Sequence, residues 1–258
     1  MKKLVLCLSV LLFLSGCTYH QQQVAAVEGK TFQPDKTQRI AVSYNLVSKR
    51  INYVETLYRV LWLETKTSSQ DFSGVWSPDR ELSADLANRL HQQGFTADSV
   101  FDVVAPEVVN AANDSLAADC LTQASGDHPA MPGVKLPPIA DFFLADRQNT
   151  ELNKLTGELR GKGYRYLVQL TAMDIYGAAL GFGAVGISAF PNARVIDLQS
   201  NEVVWNTPLV HGEDFQSGGG SLKALEVDGM AKTRAGMATS INRLDFAAMW
   251  GLALPQPH

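Results

Sequence analysis

The first seventeen residues constrain this chain more than any other feature. Lys2 and Lys3 give a positive start, and residues 4–14 (LVLCLSVLLFL) form an eleven-residue apolar run broken only by Ser9. A membrane-spanning helix needs roughly 20 apolar residues, so this run is too short to be one. A charged start and a short apolar stretch have the proportions of a cleavable export signal. Export bears on folding through the cysteines. The chain has three, Cys7, Cys17 and Cys120, too few for a disulfide framework or a four-cysteine zinc site. The body must be held by packing.

Leu14, Ser15, Gly16 and Cys17 follow the apolar run and resemble the lipobox of bacterial outer-membrane lipoproteins, which are cut before the cysteine and acylated on its sulfur. Small Ser15 and Gly16 suit a narrow peptidase site, and Cys17 supplies the thiol. The alternative is an ordinary signal peptide followed by a chance cysteine. One acyl chain anchors marginally and two or more hold firmly; the resemblance implies three. Thr18 stands where relatives kept at the inner membrane often carry Asp, which implies the outer membrane, with the body in the periplasm. Cutting there removes 16 of 258 residues, including two lysines and no acid, and leaves 242 residues at a formal charge of −6. Cys120 then remains as the lone thiol, and no internal disulfide can form even in an oxidising space.

The chain has material for a core: 46% of all 258 residues are hydrophobic and 19% charged, well away from a disordered composition. A pI near 5.7 and the absence of a basic cluster exclude nucleic acid as the main partner, because phosphate binding needs concentrated Lys and Arg.

Residues 1–16 read as the signal peptide, 17–38 as a lipid-anchored polar tether, and 39–258 as one periplasmic α/β domain with an irregular Pro-rich insertion at 105–150. Within the domain, Arg39–Leu46 has the β-branched and aromatic content of a first strand. Residues 54–67 alternate as a strand would, though Leu57, Leu61 and Glu64 also suit a helix face. Ser77 and Pro78 open a helix as N-cap and first position. Leu82, Leu86 and Leu90 form its buried stripe, and Gly94 stops it. Residues 95–104 resume an extended pattern. A short helix near Pro106–Thr122 fits inside the insertion. Leu152, Leu155 and Leu159 mark another helix, and 164–175 a strand entering a Gly-rich connection at 177–186. Residues 193–198 and 203–207 read as a hairpin across Gln199-Ser200-Asn201-Glu202, where Asn tolerates positive φ. Residues 222–250 read as one long amphipathic helix, its apolar side formed by Leu222, Leu225, Met230, Met237, Ile241 and Leu244. The fold class is α/β: a mixed sheet packed against two to three helices.

This arrangement resembles the periplasmic α/β domain of the curli-secretion lipoproteins. Similar domains occur in the lipoprotein activators of penicillin-binding proteins and at the N-terminus of TolB. The resemblance rests on the helix at 82–94, on Gly163-Tyr164-Arg165-Tyr166-Leu167-Val168 entering a strand, and on Val195-Ile196-Asp197-Leu198 with Val203-Val204-Trp205. It covers roughly 39–250 outside the insertion. These relatives do different jobs, so it implies a fold and an envelope setting more than a single activity.

Several motifs bear on chemistry. Residues 181–186 match G-x-G-x-x-G after a strand, but a dinucleotide site also needs a helix to start immediately afterwards. Residues 187–191 are extended and end in Pro, so no cofactor is expected. The same apolar stretch, with Leu180, Phe182, Val185, Ile187 and Phe190, reads either as a buried connection or as an interaction loop for a protein or lipid. A pore-forming hairpin is the third reading, against which stands the lack of a polar face. None of His20, His91, His128, His211 and His258 pairs at metal spacing, and no metal is expected. His211, Asp214 and Ser217 place three triad residue types close in sequence, which is no evidence of triad geometry. Cys120 has no basic neighbour within five residues and reads as a small buried hydrophobe, with an intermolecular disulfide as the alternative.

The expectation is a non-enzymatic lipoprotein held to the outer membrane by acyl chains on Cys17, binding an envelope protein as an accessory or assembly factor, with no nucleic-acid partner. The first alternative is an oligomeric secretion component of the curli-channel type; the second is a periplasmic hydrolase.

Overall fold

A strand whose two faces are both covered needs apolar residues at every position, and Arg39–Leu46 comes close: all but Arg39 are buried. In the computed structural model, which describes residues 32–59, 62–122, 127–128, 131–135, 149–181, 184–216 and 222–252, this segment is β1 of an α/β fold. The elements that follow are β2 (Arg50–Arg59), β3 (Trp62–Asp71), α1 (Pro78–Gln92), β4 (Thr96–Ser99), α2 (Val100–Val103), α3 (Pro106–Thr122), β5 (Asp127–His128) and β6 (Met131–Lys135). Next come α4 (Thr150–Gly161), β7 (Tyr166–Ala172), β8 (Ile175–Gly181), β9 (Ala184–Ala189), β10 (Asn192–Asp197), β11 (Glu202–Pro208) and β12 (His211–Gln216). A 3₁₀ turn (Leu222–Leu225), α5 (Val227–Asn242) and α6 (Phe246–Met249) close the described chain.

The mixed sheet expected is present and divides into two of five strands, in the orders β11-β10-β7-β1-β4 and β12-β9-β8-β2-β3. Their registers show why. The parallel pair β1/β7 ends at Leu46 opposite Ala172, and the parallel pair β2/β8 begins at Ile51 opposite Ile175. Backbone bonds from Val47 N–H to the Ala172 carbonyl and from Ser48 N–H to the Met173 carbonyl, both 2.9 Å, carry the pairing around the corner. The hairpin of β9–β10 with β11–β12 turns the same corner, where Leu209 N–H donates to the Pro191 carbonyl at 2.7 Å. Four long strands therefore bend together, and each half becomes one sheet.

The helices divide between the two faces of the first sheet. Ile40, Val42, Tyr44 and Leu46 pack with the α1 stripe of Leu82, Leu86 and Leu90, and this cluster continues under α5 through Met237 and Ile241. Ala41, Leu167 and Ile196 face the other way, toward Val109, Leu116 and Cys120 of α3 and Leu152, Leu155 and Leu159 of α4. Pro106–Thr122, inside the stretch read as an insertion at 105–150, is thus a core helix. Of the stretch read as a tether at 17–38, the part from Phe32 onward packs on the domain. Phe32 is buried, with its ring edge-on to Tyr166 and Trp250 at 4.9 Å each, and Lys36 lies 5.7 Å over the Phe95 ring.

Three more expectations change. Residues 54–59 and 62–67 belong to two antiparallel strands rather than one. The stretch 95–104 is a four-residue strand followed by a helical turn. The apolar side expected for 222–250 is buried or partly buried throughout, but the helix is broken: Asp228, Gly229 and Met230 take left-handed φ of 53°, 63° and 63°, and Asp245 starts a separate short helix by accepting from Ala248 N–H.

The β10–β11 turn follows expectation, with Asn201 at φ 54°. Asp197 accepts from Gln199 N–H at 2.8 Å and holds Arg165 through its other oxygen. A left-handed conformation costs an ordinary L-residue about 1–2 kcal/mol. Asn201→Ala should therefore lower stability by about 1 kcal/mol, while Asn201→Gly stays within about 0.5 kcal/mol of the parent, as read from urea unfolding midpoints.

Candidate functional site

The apolar stretch ending at Phe190 lies on β8 and β9, which pair as a hairpin. Alternation along β9 turns Val185 and Ile187 under α5, where both are buried, and Phe190 is buried at the corner with its ring 5.5 Å from Tyr176. The contact with α5 is so close that a Cβ on Gly236 would meet the Phe215 ring at 2.5 Å and Ile187 Cδ1 at 2.6 Å. Val185, Ile187 and Phe190 are therefore core residues, and the interaction-loop reading does not hold for their side chains. The Leu180 side chain and the whole of Phe182 lie outside the described residues. Residues 184–186 of the glycine pattern lie on β9, where a phosphate-binding helix would have to begin.

His211 opens β12 and is 4% exposed. Its Nε2 lies 3.0 Å from the Tyr44 hydroxyl and its Nδ1 2.7 Å from Ser240 Oγ; Ser240 in turn donates to the Met237 carbonyl at 2.8 Å. That last donation fixes the rest. Ser240 accepts from Nδ1–H, which leaves Nε2 as the acceptor for Tyr44 O–H, and the imidazole is neutral. Burial pulls its pKa down to about 4 and drives that of Tyr44 well above the ordinary phenol range, with Asp79 adding to the latter. Asp214, three residues along the strand, is exposed on the opposite face, and Ser217 lies outside the described residues. The fold separates His211 from Asp214.

A different polar group is assembled on the α3/α4 side of the first sheet. Two registers run across β1, β7 and β10: Ser43, Gln169 and Arg194 form one row, and Asn45, Thr171 and Asn192 the next. All six are 4% exposed or less. Arg194 donates from Nε to Gln169 Oε1 at 2.8 Å, with Nη2 on the same oxygen, and burial lowers its pKa to about 9. Asn45 Nδ2 donates to the Asn113 carbonyl of α3 at 3.1 Å. Beside this row, Asp79 in the first turn of α1 accepts from Leu46 N–H at 3.0 Å. Burial holds its pKa above the ordinary carboxylate value against the opposing pull of that amide and of Lys49.

No family model matches the chain, and no curated protein matches its sequence. Similar solved structures include a PelC dodecamer from Paraburkholderia phytofirmans, at 9% identity and a TM-score of 0.35, covering 85% of this chain and 95% of that one. The hypothetical protein CT253 from Chlamydia trachomatis is 15% identical, with a TM-score of 0.37 and coverage of 80% and 90%. The LpoB C-terminal domain from Salmonella enterica is 13% identical, with a TM-score of 0.26 and coverage of 74% and 88%. At such scores these likenesses decide nothing about what the chain does.

The other residues singled out from the sequence fall as follows. His91 is exposed near the end of α1. Cys120 is fully buried, and burial pushes its thiol up to about 12; a thiol so enclosed cannot reach a second chain. Leu14, Ser15, Gly16 and Cys17 lie outside the described residues. Among the described residues no helix is long and apolar enough to cross a membrane, and no cluster of three or more His, Cys, Asp or Glu could hold a metal. The polar rows on β1, β7 and β10 had a sequence signal that went unread: RIAVSYNL puts Ser43 and Asn45 on one side of its alternation, as YLVQLTA does Gln169 and Thr171.

Proposed function

We propose that this chain is an outer-membrane lipoprotein, anchored through Cys17, whose α/β domain binds another envelope protein as an accessory or assembly factor. The observation that carries it is the Leu14-Ser15-Gly16-Cys17 sequence after an eleven-residue apolar run, followed by a polar stretch up to the docked Phe32. The 14 residues at 18–31 would span about 20 Å as a flexible coil, enough to hold the domain within reach of partners near the membrane. The separation of His211 from Asp214 and the closed Tyr44–His211–Ser240 network support binding over triad hydrolysis.

Two measurements test this. The parent chain should incorporate labelled palmitate and fractionate with the outer membrane, whereas Cys17→Ala should lose the label and more than nine-tenths of the membrane fraction, one acyl chain being worth about 0.8 kcal/mol per buried methylene. Crosslinking in cells should then trap the anchored chain with a discrete partner. Equal fractionation of parent and variant would remove the anchor, and recovery of only free monomer after crosslinking would remove the binding role.

A further inference from the structure

The buried polar rows of the first sheet have no part in the anchor or in the hydrophobic core. Ala41, Leu167 and Ile196 form an apolar level of the same face. At each of the next two levels, three strands from separate parts of the chain all place a polar side chain. Ser43 Oγ, Thr171 Oγ1, Gln169 Nε2 and both side-chain polar atoms of Asn192 lack a hydrogen-bond partner among the described residues. A buried polar group left unpaired costs about 1–3 kcal/mol. Four such residues together cost on the order of a whole domain's net stability, about 5–15 kcal/mol. A face that served only packing would be more stable with Val or Leu at these positions.

The two rows lie at the end of the first sheet where β1 and β7, still paired, turn the corner into β2 and β8. Asn45 and Thr171 are the next-to-last residues of β1 and β7, and Asn192 is the first of the antiparallel β10 beside them.

We propose that this face is an enclosed binding site for a small uncharged ligand of the amide or polyhydroxyl class. Its free groups are amides and hydroxyls, which both donate and accept, as such a ligand does. Arg194 has its Nε and Nη2 on Gln169 Oε1, and this fixes Gln169 Nε2 as a donor toward the site.

The test uses the purified full chain, with acetamide and glycerol as probes in saturation-transfer NMR and native mass spectrometry for any co-purified molecule. The parent and Ser188→Ala, a change on β9 outside the site, should give a saturable signal for at least one probe. Thr171→Val with Asn192→Leu should weaken it at least tenfold while the thermal midpoint stays level or rises, since apolar replacements remove unpaired groups. Should the double variant fail to fold, Thr171→Val alone, which conserves volume, should still weaken the signal at least threefold. The proposal is overturned if the parent binds neither probe and carries no co-purified molecule, leaving water alone on the face. It is equally overturned if parent and variant give equal signals.

Discussion

Trp250→Ala should lower the unfolding free energy by about 3–5 kcal/mol in urea denaturation. Trp250 is 5% exposed and stands at the centre of an aromatic cluster drawn from four parts of the chain. Its ring centroid lies 4.9 Å from Phe32, 5.2 Å from Phe95, 5.3 Å from Phe246 and 6.3 Å from Trp205, edge-on to all but Phe246. Truncation would remove its buried area, open a void lined by rings, and give up edge contacts worth about 0.5–1.5 kcal/mol each beyond area. Phe32→Ala should cost less, because it sits at one margin of the cluster. A double-mutant cycle of the two should show coupling above 0.5 kcal/mol, since their rings touch. A loss under about 1.5 kcal/mol for Trp250→Ala would show that the cluster gives way easily. It would also mean that Phe32 is only loosely docked on the domain.

That cluster marks where the sequence could be read and where it could not. Local signals came through. The Leu82, Leu86 and Leu90 stripe, the helix at Pro106–Thr122 and the positive φ of Asn201 each depend on residues close in sequence, and each stands in the fold. What did not come through depends on residues distant in sequence. Phe32 lies in a polar stretch, and nothing nearby shows that Trp250 and Tyr166 will meet it. Glycines at 177, 181 and 186 argued for a connection, yet these residues form strands because neighbours come close: a Cβ on Gly177 would meet the Tyr53 ring at 2.8 Å. The bend at 47–49 and 173–174 that makes two sheets of one carries no Pro or Gly to mark it, although Pro191 and Pro208 stand at the bends of the other two strands.

The site was harder to read than the fold, for a physical reason. Apolar Val185 and Ile187 looked available to a partner only while α5 was unplaced; with Gly236 seated on β9 they become core, and Phe190 is covered at the corner beside Tyr176. Ser43, Gln169, Thr171 and Asn192 each look ordinary within one strand. They form a group only when β1, β7 and β10 are in register, and the β1/β7 part of that pairing joins residues 126 positions apart.

Between pH 7 and pH 4 His211 alone should remove about 3 kcal/mol of stability. The ordinary imidazole pKa is near 6.5, and burial lowers it to about 4 in the folded chain. Between those values the unfolded chain binds a proton at this position and the folded chain does not. Stability from this group is complete above pH 6.5 and falls with the pH until the folded imidazole also protonates near 4. Protonation also breaks the network, because Nε2 accepts from Tyr44 O–H and would have to become a donor. Asp79 and Asp85 have their pKa values raised by burial and work in the opposite sense, gaining stability as the pH falls. His211→Gln keeps a side chain able to face Tyr44 and Ser240 but cannot titrate, so subtracting its urea-unfolding free energies from the parent's cancels the carboxylates. The difference should be level above pH 6.5 and decline below it by about 1.4 kcal/mol per pH unit. A level difference down to pH 4 would mean that folded and unfolded imidazoles titrate alike, and that the Tyr44–His211–Ser240 network does not hold His211 neutral.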